Sequence, residues 1–122
     1  MNDVVELVDL RLDAIVGVLP HERVTPQPLR LDITFTRPFT LAAASDDLRW
    51  TTNYAAVIAL AEDIVMAGQF LLLETLVVRV ADAVLAFDEA VTSVMVRVAK
   101  LEPPVTQRIG TVGVATTRYR SA

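Results

Sequence analysis

Apolar residues in this chain recur at every second position near both ends and at every third or fourth position through the middle. That change of period constrains the fold more than any other feature. Alternation suits a strand with one buried face, whereas spacing at i, i+3, i+4 and i+7 suits a helix with one buried stripe. Leu29, Leu31, Ile33 and Phe35 alternate with Arg30, Asp32, Thr34 and Thr36, the cleanest strand signal, and Pro38 ends it. Ahead of it, Leu10, Leu12, Ala14, Val16 and Val18 predict a strand with Arg11 and Asp13 on its other side. The segment between them carries Pro20, Pro26 and Pro28, cannot continue either strand, and is expected to be a loop bearing Glu22.

Ala42 to Asp47 is expected to be a connector. Thr51, Thr52 or Asn53 can then cap a helix whose inward stripe is Tyr54, Val57, Ile58, Ala61 and Val65, stopped by Gly68. A second helix begins near Leu72 and places Leu73, Leu76, Val77, Val80, Val84 and Phe87 on one face, with Arg79 and Asp82 turned away. Val94, Val96 and Val98 alternate with Ser93, Met95 and Arg97, and after Pro103-Pro104 a last strand carries Val112 and Val114. Strands grouped at both ends around paired helices predict an α+β fold of order ββααββ, an antiparallel four-stranded sheet with two helices on one face.

A chain of 122 residues is expected to form one domain, 1–122. Its hydrophobic fraction of 53% against 21% charged exceeds what one small domain needs for its own core, which predicts subunit interfaces. No apolar run reaches the ~18 residues of a membrane span, because Glu62, Asp63 and Glu74 interrupt the middle. No basic start leads into an apolar core and cleavage site, so a cytoplasmic protein is expected, with no membrane partner. A net charge of -4 with scattered arginines leaves no footprint for nucleic acid. The absence of Cys, with His21 the only imidazole, weakens the common metal and triad schemes. Asp46-Asp47 and Asp88-Glu89 read as solvated surface pairs, and no metal is assigned.

Phe70-Leu71-Leu72-Leu73-Glu74 joins the two helices. Taken alone, Glu74 is a first-turn carboxylate that offsets the helix dipole. The strand segments outside the two helices, however, supply Glu22 and Lys100, and Lys100 falls on the apolar face of its strand. One acid and one ammonium can therefore converge on whatever Glu74 faces.

Five pieces occur in order: Gly17-Val18-Leu19-Pro20-His21-Glu22-Arg23, Ala44-Ser45-Asp46-Asp47-Leu48, Asn53-Tyr54-Ala55, Phe70-x-Leu72-Leu73-Glu74 and Val96-Arg97-Val98-Ala99-Lys100. Together with Val112-Gly113-Val114 they resemble the dihydroneopterin aldolase family across nearly the whole chain. The resemblance implies the tunnelling fold, in which subunits join their sheets into a barrel-like ring, a tetramer or octamer that binds pterins at subunit borders. It implies Glu74 as the anchor of the pterin ring, with Leu73 and Thr52 completing the edge contacts through their backbones. It further implies Lys100 as the catalytic acid and base, Tyr54 as a partner in proton transfer, and Glu22 as a contact to the substrate chain. The reaction implied is retro-aldol cleavage of dihydroneopterin to hydroxymethyl-dihydropterin and glycolaldehyde, in folate synthesis, with no cofactor. The chemistry agrees, since one ionised carboxylate can accept the amino and ring N–H donors of a pterin edge as a fork.

The chain departs from the family pattern at Leu101, where Pro often follows the lysine, and at Val16, where some members carry His. Leu101 and Asn53 also resemble the sister dihydroneopterin triphosphate epimerase. A triphosphate would need several cations, and Arg23, Arg37, Arg49 and Arg108 are the candidates by position. A third reading is a non-catalytic ring-forming or pterin-binding module.

Overall fold

The computed structural model describes residues 3–121. Its elements are β1 (Val4–Ala14), a 3-10 turn (Pro20–Arg23), β2 (Gln27–Thr36), α1 (Thr40–Ser45), a second 3-10 turn (Leu48–Trp50), α2 (Tyr54–Gly68), α3 (Leu73–Phe87), β3 (Ser93–Lys100) and β4 (Val112–Tyr119). The four strands form one sheet of order β1-β2-β3-β4, antiparallel throughout. The α+β architecture expected from the sequence is the one observed.

Alternation decides which face of the sheet is covered. Leu29, Leu31, Ile33 and Phe35 of β2 and Val94, Val96 and Val98 of β3 are all buried. They meet Val57, Ala61 and Val65 of α2 and Leu73, Leu76, Val77, Val80, Ala81 and Val84 of α3 in a single core. Each such side chain contributes about 1.5–3 kcal/mol on leaving water, so the two central strands and the two long helices carry the stability. β1 and β4 form the sheet edges, and most of their residues remain exposed or half-buried.

β1 differs from its expected span. It starts at Val4 and ends at Ala14, and its pairing with β2 slips between Leu7 and Leu10. Asp9 adopts a left-handed φ of 63° there, and its N–H reaches Asp32 Oδ1 at 2.8 Å. This bulge inserts one residue and reverses the inward phase, so Val5 and Leu7 share the core side with Leu10 and Leu12. Beyond Ala14 the chain leaves the sheet. Val16 is still buried, but Val18, expected to face inward, is exposed.

Four further expectations are corrected. The connector after Pro38 contains the short α1 and a 3-10 turn. Tyr54, assigned to the inward stripe of α2, is exposed because it opens the helix before the stripe reaches the sheet, and Phe87 is exposed for the same reason at the far end of α3. Gly68 is the last residue of α2 and does not itself stop it; Gln69 takes the left-handed cap at φ 44°. A side chain at position 68 would collide with the Phe70 ring, which folds back over it.

Candidate active site

Pro20 sets the first turn of a 3-10 segment that carries Glu22 inward, contrary to the solvated place a proline-rich loop would usually give it. Glu22 is only 3% exposed. Its Oε2 accepts from Lys100 Nζ at 2.6 Å and from Gln27 Nε2 at 2.9 Å, while Oε1 accepts from the Leu19 N–H at 3.2 Å. Lys100 reaches it from the end of β3, where it pairs with Leu29, and its side chain is 13% exposed. Burial pushes the Glu22 carboxyl upward, but the bonds from Lys100, Gln27 and Leu19 outweigh it, so the group lies below the usual carboxylate range. The acid and the ammonium predicted to converge are thus in direct contact.

Two neighbours complete this arrangement. Gly17 adopts a φ of +119° open to glycine, and a Cβ there would run into the Glu22 carboxylate. Its N–H donates to the Phe70 carbonyl at 3.0 Å. Arg23, one residue after Glu22, donates to the carbonyls of Gly17 (3.0 Å), Phe70 (3.2 Å) and Gln69 (2.8 Å). The turn that bears Glu22 is thereby fastened to the segment leading into α3.

α3 starts at Leu73 with Leu72 at its N-cap, which supplies no side-chain oxygen. Its first backbone N–H groups consequently lack side-chain capping partners. Leu73 is buried, whereas Glu74 in the same first turn is exposed, beside the exposed Leu71 and Leu72. A carboxylate, uncapped N–H groups and an apolar rim stand together at this helix start.

Thr52 and Tyr54 lie elsewhere. Thr52 bonds to Arg37, which follows the last residue of β2, while Lys100 pairs with Leu29 near the beginning of that strand. Strand rise over Leu29 to Thr36 puts roughly 23 Å between these ends. Thr52 and Tyr54 border an open depression of about 410 Å³ with Leu48, Thr51 and Asn53. Asn53 caps α2, its Oδ1 accepting from the Ala56 N–H at 3.2 Å. Leu48, Trp50 and Tyr54 leave large apolar surfaces exposed around it. One chain therefore brings Glu22 and Lys100 together, ties them to the start of α3, and keeps Thr52 and Tyr54 at the opposite end of the sheet.

Sequence reasoning gives no role to Gln27 or Gly17 and reads Arg23 only as a candidate phosphate cation. Gln27 opens β2, and its amide also donates to the Val16 carbonyl at 2.8 Å, so it steadies both Glu22 and the end of the first excursion. Of Gln27 and Gly17, only Gly17 leaves a usable trace in the sequence, a glycine just ahead of a proline-bearing turn. A surface depression of about 650 Å³ between α3 and the end of β4 is remote from these residues. Its guanidinium groups are engaged within the chain, Arg118 with Asp82 and Arg120 with the carbonyls of Leu85, Asp88 and Val91. Among the described residues, no group of three or more His, Cys, Asp or Glu gathers at one place, and no helix is long and apolar enough to cross a membrane.

The dihydroneopterin aldolase (FolB) family model matches residues 5–117. Dihydroneopterin aldolase of Bacillus subtilis (strain 168) is 33% identical over 105 residues, covering 86% of this chain and 88% of that protein. The enzyme of the same name from Staphylococcus epidermidis (strain ATCC 12228 / FDA PCI 1200) is 31% identical over 118 residues, covering 97% and 98%. The crystal structure of Escherichia coli dihydroneopterin aldolase in complex with neopterin superposes with a TM-score of 0.86 at 28% identity, covering 95% of this chain and 98% of that one. Such a match extends over the sheet, both long helices and the turn bearing Glu22, and the architecture is the tunnelling fold. The family match over residues 5–117 and the identity to the Bacillus subtilis enzyme show that the chain belongs to the dihydroneopterin aldolase family.

Proposed function

We propose that this chain cleaves dihydroneopterin to hydroxymethyl-dihydropterin and glycolaldehyde, as a cytoplasmic lyase of folate synthesis acting without cofactor. The observation that carries the reading is the buried contact of 2.6 Å between Lys100 Nζ and Glu22 Oε2, fastened through Gly17 and Arg23 to the start of α3. At that helix start Glu74 accepts the amino and ring N–H donors of the pterin edge as a fork. The backbones of Leu73 and Thr52 complete the edge. Lys100 moves the protons: the 2′-hydroxyl of the side chain loses its proton and becomes the aldehyde of glycolaldehyde as the C1′–C2′ bond breaks. The released electron pair passes into the ring imine, whose nitrogen takes up a proton, and protonation at C1′ with loss of that nitrogen's proton restores the imine and completes the pterin product. Glu22 keeps Lys100 in place and contacts the substrate chain, and Tyr54 serves as a partner in proton transfer.

The site needs a second copy of the chain. Thr52 and Tyr54 sit at the far end of the sheet from Lys100, and each half is bordered by exposed apolar side chains, Leu71 and Leu72 in one case, Leu48 and Trp50 in the other. A homo-oligomer, tetramer or octamer, that joins the exposed edges β1 and β4 brings the halves together and covers this surface. Mixing inactive Tyr54→Ala and Lys100→Ala chains then restores part of the activity. No recovery despite proven subunit exchange would refute a shared site.

Cleavage is favoured over epimerisation of a triphosphate because three of the four candidate cations are already engaged within the chain. Arg23 is bound by three carbonyls, and Arg37 by Thr52, Asp88 and Trp50. Arg49 pairs with Asp47 at the surface, which leaves Arg108 in the exposed β3–β4 connection. Incubation with dihydroneopterin, and separately with its triphosphate, is expected to give glycolaldehyde from the unphosphorylated compound. Isomers of the triphosphate without glycolaldehyde would favour the epimerase, and binding without turnover a pterin-binding module.

A further inference from the structure

We propose that Arg37 and Asp88 are positioning residues that aim the backbone of Thr52 at the pterin edge. The inference rests on the pterin site described above and assigns it a support that lies behind the contact surface. Thr52 is 4% exposed, and its side chain points into the protein. The hydroxyl donates to Asp88 Oδ2 at 2.6 Å and accepts from Arg37 Nη1 at 2.8 Å. Its proton and one lone pair are both spent, so the groups Thr52 has to offer are those of its main chain. Neither its N–H nor its carbonyl makes a main-chain hydrogen bond inside the chain among the described residues. A donor and an acceptor standing side by side on one residue match the alternating edge of a pterin.

Arg37 and Asp88 fix that residue from several sides. Arg37 Nη2 donates to the Trp50 carbonyl at 2.7 Å, and Nη1 also reaches Asp88 Oδ2 at 3.0 Å. Asp88, at the C-cap of α3, accepts from the Ala90 N–H at 2.9 Å through Oδ1, and its own carbonyl accepts from Arg120 at 2.9 Å. The end of β2, the end of α3 and the residue after β4 are thus tied to the segment 50–52, which has no regular structure of its own at Thr52. Burial pushes the Asp88 carboxyl up, but Thr52, the Ala90 N–H, Arg37 and Arg120 together hold it below the usual range, so the pair is charged at neutral pH. A largely buried ion pair is an expensive way to hold a loop, since apolar groups of the same volume often do as well. What it supplies here is a fixed direction for Thr52.

The test uses full-length Thr52→Val and Asp88→Asn, with Asp82→Asn, which loosens only the exposed pair with Arg118, as reference. Dihydroneopterin affinity and single-turnover glycolaldehyde release are measured with melting temperature. The expected result is a Kd raised about tenfold in Thr52→Val and Asp88→Asn, the scale of losing a hydrogen bond to a charged group. The rate constant of bound substrate should fall by less, because Lys100 and Glu22 are held by β3 and the 3-10 turn and Tyr54 by its own helix, none of which the Arg37–Asp88 network fixes. Asp82→Asn keeps the parental Kd. A lower melting temperature with parental Kd in both variants would overturn the proposal, leaving the network a purely structural one. If Asp88→Asn does not fold, Thr52→Val decides alone, because it keeps both charges paired. Failure of the parent protein to bind dihydroneopterin would overturn the pterin site itself, and this proposal with it; parental binding that Glu74→Gln weakens but Thr52→Val and Asp88→Asn do not would overturn this proposal alone.

Discussion

Replacing Lys100 by Met removes the ammonium and leaves the Glu22 carboxylate where it is. That carboxylate is 3% exposed and would retain only the Gln27 amide and the Leu19 N–H as partners. Breaking one side of a buried pair costs about 3–5 kcal/mol, because the other charge is stranded. With two hydrogen bonds remaining, the low end applies, about 3 kcal/mol at neutral pH. The pH dependence identifies the cause. In the parent the Glu22 pKa is lowered, so its contribution is present above the ordinary carboxylate value and is lost as pH falls through the lowered one. In the variant, burial acts with less opposition, the carboxyl takes up its proton more readily, and the stranded charge disappears on acidification. The gap between the two proteins should therefore be widest at pH 7 and narrow by pH 4. Lys100→Met/Glu22→Gln should recover part of the loss at pH 7. Urea unfolding of all three proteins at matched concentration reads these differences. A deficit below about 1 kcal/mol that does not change with pH would mean that the pair behaves as a surface ion pair, and the reasoning would fail.

Two other outcomes follow from the same site. Gly17→Ala places a methyl group against the Glu22 carboxylate at a φ of +119°, so it should lose about 1–3 kcal/mol of stability and most of its cleavage activity; a parental melting curve and turnover would show that the turn can relax. Glu74→Gln replaces a two-acceptor fork by one acceptor and one donor, so pterin affinity should fall by about 2 kcal/mol with little change in melting. A stability loss of about 0.3–1 kcal/mol with unchanged binding would return Glu74 to the role of dipole partner.

How far the sequence could be read depended on whether a residue's neighbours lie on its own element. Leu29 to Phe35 alternate without interruption because β2 is central and one face is fully covered, so the pattern and the burial coincide. The first half of β1, Val4 to Leu7, is not legible in the sequence because the Asp9 bulge shifts the phase between Leu7 and Leu10 and makes a single alternation impossible to follow. Lys100 could be placed on the inner face by counting along β3. Glu22 could not be placed by counting, since a short 3-10 turn rather than a strand carries it inward. Arg37 and Asp88 illustrate the limit. Each looked like surface, one as a cation for phosphate and the other as half of an acidic pair, because their partnership spans |i−j|=51 and depends on the end of β2 meeting the end of α3. The separation of Tyr54 from Lys100 was likewise invisible to a stripe argument, which registers the phase of a helix and says nothing of which end of the sheet its first turn reaches.

The central claim is that Lys100 gains and loses a proton during each turnover, and Lys100→Arg tests it most directly. Arginine keeps the positive charge beside Glu22 but effectively never deprotonates. Glycolaldehyde released from dihydroneopterin in a single turnover, measured beside pterin affinity, is expected to show binding within a few-fold of the parent and cleavage slower by about a hundredfold or more. Near-parental release of glycolaldehyde by Lys100→Arg would contradict the acid–base assignment.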